Sequence, residues 1–576
     1  MIMLLCHRLS ATVPALVAAI LFATVAGAAA AARAAAPAVA VADGNAAIVS
    51  AETALQRGDC GAASSLYRQA AQQLAQPELA ARASAVALAC GQYSAALAAA
   101  SRWQQLAPDD ADAMLATVQA DLGGYHIAEA RHAFKTWLGV PGRKVAETID
   151  VLAQRAGSEP TLLMLRELDA APLRSADNRL ALAELALSAW DARQALQYAT
   201  AARAAGANAP RVAAITARAQ AVLGDAPAAE AAARTAITDK ESRFALAQAL
   251  LTLGRDEDAQ NELQRLRTDA DAGAAAARML AQLAIEAGDY AVAEQRCNNM
   301  IREPGSAALA VYYLGLIAER RGDDDAAARD YSLLAGTGFE AQGRRRAAGI
   351  LYRQGERDAA VRVLGAARDA EPEERIRADL AIADLLASSG AADESVSRID
   401  SALRRAPGNP EIAYQRAVLL EKAGRADAAV TALEALHKDR PLDAGITNAL
   451  GFTLADHKRD LPRAEQLIRA ALAAQPDNPA ILDSLGWVQY RRGQSAAALP
   501  LLERAYRLLH DGDVGAHWGE ALWSAGRKDA ARAAWQRALT ADPDNVLLTA
   551  TVRRYAPTLS APKPPPALEP APHTSI

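Results

Sequence analysis

The side chains that most often carry chemistry are few in this sequence, and their spacing builds no reaction centre. His126 and His132 lie six residues apart, which places them on different faces of a helix. His510 and His517 flank the acidic turn 511–513, but a metal site needs more ligands at suitable spacing. Phosphate-binding loops, nucleophile elbows and zinc-protease motifs do not occur in the sequence. We therefore expect no catalytic residues, no metal, no cofactor and no enzymatic activity.

The composition favours helices. Of the 576 residues, 52% are apolar but only 4% are aromatic, and alanine supplies about a quarter of the chain. Alanine is the best helix former because it loses no side-chain entropy in a helix, whereas sheets need β-branched and aromatic residues. An all-α protein is therefore predicted. The net charge of −5, from 62 basic and 67 acidic residues, gives no electrostatic basis for binding nucleic acid.

The first forty residues have the layout of a targeting segment. Residues 11–32 carry no charge, and only Val13–Val25 is strongly apolar, which is shorter than the roughly 20 residues of a membrane-spanning helix. Small residues follow up to Ala36, so a cleaved signal peptide is predicted for residues 1–36 and a linker for residues 37–45. An uncleaved anchor is the alternative. Cys6 precedes the apolar run, which argues against a lipid attached there. We expect a periplasmic protein that reaches the outer membrane only through partners.

Glycine recurs with a period near 34 residues, and Trp190 takes the place of one glycine. The glycines are Gly58, Gly91, Gly124, Gly157, Gly224, Gly254, Gly288, Gly322, Gly355, Gly390, Gly424, Gly493 and Gly526. Alanine follows five residues later at Ala63, Ala96, Ala195, Ala229, Ala259, Ala293, Ala327, Ala360, Ala429, Ala498 and Ala531. A glycine ends a helix cheaply because it adopts left-handed backbone angles, and an alanine lets two helices cross closely. The period therefore predicts pairs of helices joined by a short turn.

Proline closes many of these units, because the residue before a proline resists the α region. The prolines are Pro108, Pro372, Pro407, Pro441, Pro476 and Pro543. The pairs Asp477-Asn478 and Asp544-Asn545 follow two of them, and Asp and Asn are preferred caps for the start of a helix.

This pattern resembles the tetratricopeptide repeat, a helix–turn–helix of 34 residues. The clearest segments are those around Leu450-Gly451, Leu485-Gly486 and Trp518-Gly519. The resemblance implies an all-α superhelical solenoid of about 15 units. We assign residues 46–138 to N-terminal repeats, residues 139–178 to irregular helical units and residues 179–555 to the main array. Residues 556–576 are rich in proline, which predicts a disordered tail.

The register of this repeat places Cys60 and Cys90 at the same end of the stack. Cys60 then opens the second helix of one unit, and Cys90 ends the first helix of the next. In an oxidising compartment the two form a disulfide; the alternative is two separate, small apolar side chains. Cys297 falls on a position that packs inside, so we expect a buried thiol.

Members of this family usually bind partners on a concave surface lined by fixed positions of the first helix of each unit. Those positions here are rich in aromatic and arginine side chains, which are common anchors at binding hot spots. The candidates are Tyr312, Arg345, Tyr352, Arg353, Tyr414, Asn448, Phe452, Trp487, Tyr490, Arg491 and Trp523. The alternative is that some of them pack between neighbouring units.

The resemblance implies a non-enzymatic adaptor or scaffold whose partners are proteins rather than nucleic acids or small-molecule substrates. The exported address and the segment Leu482–Gly493 are also similar to proteobacterial periplasmic repeat adaptors that link cell-wall hydrolases to carboxyl-terminal processing proteases. The lipid-bearing cysteine of those adaptors has no counterpart after the apolar run of this chain. The alternative function is a structural component of an exopolysaccharide or envelope secretion complex.

Overall fold

A computed structural model describes residues 44–234, 240–269, 272–303, 305–366, 371–388, 390–543 and 545–559. The predicted signal peptide and residues 560–576 of the proline-rich tail lie outside these ranges. Within them the chain forms thirty-one α-helices and a short 3-10 helix, and it forms no β-strand. The prediction of an all-α fold is confirmed. None of the helices in these ranges combines the length and the apolar character that crossing a membrane requires.

The first twelve helices form six consecutive pairs. They are α1 Gly44–Gln56, α2 Cys60–Leu74, α3 Pro77–Ala89, α4 Tyr93–Leu106, α5 Ala111–Gly124, α6 Ile127–Leu138, α7 Val145–Ala156, α8 Ser158–Arg166, α9 Ala176–Ser188, α10 Ala192–Ala204, α11 Ala209–Leu223 and α12 Ala226–Arg234.

Five further pairs follow. They are α13 Lys240–Thr252, α14 Asp256–Leu266, α15 Gly273–Glu286, α16 Tyr290–Met300, α17 Ala307–Arg321, α18 Asp324–Ser332, α19 Glu340–Arg353, α20 Arg357–Gly365, α21 Pro372–Ser388 and α22 Ala392–Arg405.

The last four pairs are followed by a single closing helix, which gives fifteen pairs in total and agrees with the predicted number of units. They are α23 Pro410–Lys422, α24 Ala426–Asp439, α25 Ala444–Asp456, α26 Leu461–Ala474, α27 Pro479–Arg491, α28 Ser495–Leu509, α29 Gly512–Ser524, α30 Lys528–Ala541 and α31 Val546–Tyr555.

The turn inside each pair uses a residue with left-handed backbone angles, as the glycine period predicts. Twelve of the thirteen recurring glycines have a positive φ. Gly124 is the exception, because α5 continues through it and Tyr125 takes the left-handed position with a φ of 60°. Trp190 also has a φ of 60°, and Lys458 takes this role where the glycine is missing. The period therefore marks the turn even where its preferred residue is absent.

The two helices of each pair touch directly at the predicted small residues. All eleven alanines that follow the glycines have no exposed surface. Glycine plays the same part on the first helix: a Cβ added to Gly486 would collide with the side chain of Leu502, and one added to Gly519 would collide with Trp535. Side chains this small let the helix backbones approach until the larger partner fills the remaining space.

Residues 139–178 depart from the regular pattern. Gly157 alone separates α7 from α8, with a φ of 101° and a ψ of 148°, and a short 3-10 helix at Ala171–Arg174 precedes α9. Phe134 and Trp137 stack with ring centroids 5.2 Å apart and belong to the hydrophobic cluster that continues into these helices. The irregular stretch is therefore packed into the array.

The array returns on itself, so that early helices contact late ones. α2 touches α22, and α3 touches α21. One hydrophobic cluster joins residues 47–99 with residues 376–429. Packing between neighbouring repeats does not require such contacts. They arise because the superhelix brings one turn of the array against the next.

Candidate protein-binding surface

The eleven candidate residues lie on the first helices of six units. These are α17 for Tyr312, α19 for Arg345, Tyr352 and Arg353, α23 for Tyr414, α25 for Asn448 and Phe452, α27 for Trp487, Tyr490 and Arg491, and α29 for Trp523. The structure brings those on α25, α27 and α29 together and leaves the others at separate places along the array.

Near the C-terminus, aromatic side chains form a continuous series that we call the aromatic row. It consists of Phe452, Trp487, Tyr490, Trp523 and Tyr555, and Phe452 is joined to Trp487 through the ring of His517, 6.1 Å from it. The rings of Trp487 and Tyr490 have centroids 5.2 Å apart, and those of Trp523 and Tyr555 are 5.8 Å apart. Glu520 joins the two halves, because its Oε1 accepts hydrogen bonds from the hydroxyls of Tyr490 at 3.2 Å and Tyr555 at 3.1 Å.

Trp487 lies in the interior of this row. Its side chain is buried, with 4% of its surface exposed, and its Nε1 donates to Oδ1 of Asp456 at 3.1 Å. The ring stacks on His517 with a centroid distance of 4.1 Å, and the guanidinium of Arg491 lies 5.1 Å above it. In this conformation Trp487 packs between units and offers a partner no open contact area.

Phe452, Tyr490 and Trp523 are only partly buried, so the row still has an accessible edge. Burial and the neighbouring Glu520 carboxylate raise the pKa of Tyr490 to about 12, which keeps its hydroxyl protonated at neutral pH. Trp523 is covered by Lys528, whose Nζ is 5.2 Å from the ring centroid, and by Arg532 at 5.6 Å. Both of these cations are exposed and on flexible stems, so a partner can displace them.

Tyr312 and Arg345 are parts of an inner layer. The ring of Tyr312 packs against Phe339 and Tyr331, with centroid distances of 5.8 and 6.0 Å. Burial lowers the pKa of Arg345, and its side chain is only partly exposed. Tyr312 therefore packs against α18 and the residue that precedes α19.

The remaining candidates on α19 and α23 also have partners inside the chain. Arg353 forms ion pairs with Glu319 at 3.2 Å and Asp324 at 3.1 Å. Tyr352 and Tyr414 pack against hydrophobic clusters, and burial raises the pKa of Tyr414. The forked donors of Arg353 are therefore already engaged.

The structure brings together buried polar residues, of which the sequence pattern singled out Asn448 as a binding candidate but not Asp483. Asp483 has no exposed surface, and both of its carboxylate oxygens lie 3.0 Å from Nδ1 of His517. Burial opposes the charged imidazole, but the Asp483 carboxylate outweighs it and raises the pKa of His517. Asn448 is also buried, and its Oδ1 has no hydrogen-bond partner among the described residues. Asp483 and His517 are 34 residues apart, so the repeat period itself contained the signal for this pair.

Glu421, Asp456 and His457 place one ligand atom each within 4.8 Å of one another. These side chains have protein partners: Nε2 of His457 is 3.6 Å from Glu421, Thr453 donates to Glu421 at 3.2 Å, and Asp456 accepts the indole hydrogen bond. These contacts join α23 to the C-terminal end of α25.

The two N-terminal cysteines of the array form a disulfide. The Cα atoms of Cys60 and Cys90 are 5.7 Å apart, within the range that a disulfide spans. Cys297 is a free thiol with no exposed surface, and burial raises its pKa to about 12. A thiol held neutral in this way is unreactive.

The tetratricopeptide repeat family matches residues 278–338, 345–410, 414–479 and 452–513. The chain contains tetratricopeptide repeats. A TPR repeat-containing protein of Pseudomonas aeruginosa, PA4667, is 32% identical over 211 residues, which cover 37% of this chain and 36% of the relative. The chain thus spans about a third of that relative's length.

Two solved structures also align with this chain. Yeast Tom70 is 13% identical, with a TM-score of 0.35 and coverage of 89% of this chain and 95% of that one. The protein TTC0263 of Thermus thermophilus is 23% identical, with a TM-score of 0.29 and coverage of 32% and 97%. Tetratricopeptide repeats are typical of scaffolds for protein–protein interaction.

Proposed function

We propose that the protein is an exported, non-enzymatic adaptor that captures protein partners at the aromatic row. The observation that carries the proposal is the accessible edge formed by Phe452, Tyr490 and Trp523 on three successive first helices. Aromatic side chains supply large contact areas and dominate binding hot spots. A chain with so few aromatic residues concentrates several of them at one place, where partly exposed rings contribute less to folding than buried ones.

The cations around the aromatic row indicate the chemistry of the partner segment. Lys528 and Arg532 lie over Trp523, and Arg554 lies 5.0 Å from the ring centroid of Tyr555. A segment with apolar side chains and carboxylates would fill the space over the rings and replace their contact with these cations. We therefore propose an extended or helical partner segment of this kind, and envelope proteases or cell-wall hydrolases as the proteins that carry it.

The proposal is tested by capture from envelope extract with matched variants. Trp523→Ala removes a half-buried ring from the row, and Trp103→Ala removes a half-buried ring on α4, far from the row in sequence. We expect Trp523→Ala to lose partners that the unmodified chain and Trp103→Ala retain, because a hot-spot truncation typically costs at least about 2 kcal/mol. Equal capture by all three proteins would refute the aromatic row as the binding site.

The identity of the captured proteins separates the adaptor from its alternative. Proteases or hydrolases support an adaptor, whereas synthase or barrel subunits support a component of a secretion complex. Export is tested separately by fractionation and N-terminal sequencing of the mature protein. An intact Met1 or recovery with the cytoplasm would contradict a cleaved signal peptide.

A further inference from the structure

A single line of contacts joins the two turns of the superhelix, and we call it the seam. On one side lie the C-terminal ends of α1, α3, α9, α11 and α13 and the N-terminal ends of α2, α8 and α10. On the other side lie α21, α28 and the loops before α23, α25 and α27. Across it Arg375 donates to the carbonyls of Leu55 at 2.7 Å and Gln56 at 2.8 Å, Asn409 donates to that of Cys90 at 2.9 Å, and Arg507 donates to those of Ala221 and Thr252 at 3.1 Å.

The two sides of the seam are closely packed against each other. A Cβ added to Gly61 would lie 3.0 Å from Cδ of Pro407, and one added to Gly224 would lie 3.2 Å from the guanidinium of Arg507. At Gly91 it would overlap the side-chain amide of Asn409. Residues more than 280 positions apart in sequence are thus in van der Waals contact.

The seam pairs charges with the ends of helices. Arginines of the late turn meet carbonyl groups at helix C-termini, where the helix dipole favours a cation. Carboxylates meet free N–H groups at helix N-termini: Oδ2 of Asp477 accepts from the amide of Ala192 at 2.8 Å. In return, the amide of Asp477 donates to the carbonyl of Trp190 at 2.9 Å. The carbonyls of Leu55 and Ala221 also accept from the turn amides of Gly58 at 2.9 Å and Gly224 at 3.0 Å, so the seam arginines add a second donor at these helix ends.

One carboxylate in the seam is buried next to another. Glu159 is 9% exposed; its Oε1 accepts from the amide of Ala444 at 3.1 Å, and its Oε2 accepts from the hydroxyl of Tyr125 at 3.1 Å. Asp443 of the late turn acts on its charge, and the guanidinium of Arg440 lies 3.6 Å from the Asp443 carboxylate and 4.7 Å above the ring of Tyr125.

The surrounding elements add few compensating charges. Gln475 also hydrogen-bonds to Glu159. The guanidinium of Arg440 also lies 5.7 Å from the ring centroid of Tyr93. The charge of Glu411 acts on Tyr93 in turn. Asp443 is itself buried, and burial raises its pKa. The closed seam therefore holds two buried carboxyl groups close enough to interact, and among the described residues Arg440 is paired with Asp443 at 3.6 Å.

We propose that the seam is a latch: it closes when the Glu159 cluster holds a proton and opens when that cluster carries its full negative charge. Burial, and then the charge of Asp443, raise the pKa of Glu159 from 4.5 to about 7. Because this pKa is higher in the closed state than in the open state, closure is fully favoured below the open-state value. That contribution is lost as the pH rises through the closed-state value.

The expected size follows from these two values. With a pKa of about 7 when closed and 4.5 when open, the closing equilibrium is about tenfold more favourable at pH 6 than at pH 8. An opened superhelix exposes the helix ends of both turns and widens access to the surface between them. The proposal is independent of the partner-binding role of the aromatic row.

Hydrogen exchange of single amides in the full chain tests the latch. Among the described residues, the amides of Ala192, Ala444 and Asp477 find their acceptors across the seam, so their protection factors, corrected for intrinsic exchange, report its opening. We expect these factors to be about tenfold higher at pH 6 than at pH 8. The amide of Gly526, which bonds inside its own pair to Trp523, should show no such change.

Substitutions separate the effect of the Glu159 carboxyl from that of the seam contacts. Glu159→Gln removes the titrating carboxyl and should abolish the pH dependence. Gly61→Val should lower seam protection at both pH values, whereas Gly349→Val, where an added Cβ meets only Arg353 at 3.9 Å, should not. If Gly61→Val fails to fold by circular dichroism, Arg507→Ala replaces it. Protection that does not change with pH, or that changes equally in Glu159→Gln, overturns the proposal.

Discussion

Replacing Trp487 by alanine distinguishes packing from partner binding in the aromatic row. The indole is buried, donates to Asp456 and stacks on His517. Trp487→Ala therefore opens a cavity between α27 and α29 and leaves a carboxylate without its donor. We expect the C-terminal repeats to be strongly destabilised, because side chains around the cavity relax only partly.

The magnitude follows from the buried area. A tryptophan buries about 150–250 Å², and at about 25 cal/mol per Å² this corresponds to roughly 4–6 kcal/mol. Because an extended unfolded reference overestimates the area by roughly 10–40%, a loss of about 4 kcal/mol is expected, within the measured range of about 3–5 kcal/mol for such changes. This lowers the local folding equilibrium about a thousandfold.

The assay is urea unfolding followed by circular dichroism, combined with hydrogen exchange resolved by helix. Stability in repeat arrays is a sum of local and nearest-neighbour contributions, to which this chain adds the seam. Protection should therefore fall in α25–α30 and in the seam amides of α10, and stay unchanged in α15–α18. Trp103→Ala is the control, since this indole also donates to an aspartate, Asp110 at 3.0 Å, but is only partly buried. If Trp487→Ala unfolds at the urea concentration of the unmodified chain, the packing argument is refuted.

Three further predictions concern other parts of the fold. Because the pKa of His517 is raised in the folded state, its pairing with Asp483 should stabilise the fold fully below pH 6.5. That stabilisation should be lost as the pH rises through the higher folded value, and Asp483→Asn should remove the trend in unfolding titrations. Reducing the Cys60–Cys90 disulfide frees a loop with a sequence separation of 30 and should cost roughly 3–4 kcal/mol in the N-terminal repeats; urea unfolding with and without reductant measures this, and an unchanged midpoint would contradict it. Gly519→Ala adds a methyl group against the indole behind it and should destabilise the fold by about 1–3 kcal/mol despite the better helix propensity of alanine; a raised melting temperature would show that the helices have room to separate.

The sequence alone determines the helix pairs because their signals are local. A left-handed turn, a small residue where the two helices cross and a capping side chain all lie within one 34-residue unit. The sequence of each unit is therefore sufficient to specify its helix pair. The turn survives at Trp190 and Tyr125, where glycine is absent or displaced by one residue, because neighbouring units impose the same geometry. Fold class and repeat number can therefore be predicted from the amino-acid pattern.

Which candidate side chains are buried could be seen only in the structure. Position in the repeat places Trp487 and Trp523 on the same kind of surface, yet only Trp487 is buried by a neighbour, His517. The difference depends on side chains of the adjacent unit, which repeat position alone does not specify. Arg353 is a second example. Its position in the repeat predicted free donors, but its guanidinium forms ion pairs with Glu319 and Asp324.

The existence of the seam and the residues that form it are determined by the tertiary structure alone. Each repeat adds a small rotation, and the sum over many repeats determines whether the second turn of the superhelix touches the first. Arg375 and Leu55, or Asp477 and Trp190, meet across 320 and 287 residues, and no periodic pattern links them. The physical reason is that nearest-neighbour packing is encoded within one unit and its neighbour, whereas contact between turns depends on geometry accumulated along the whole array.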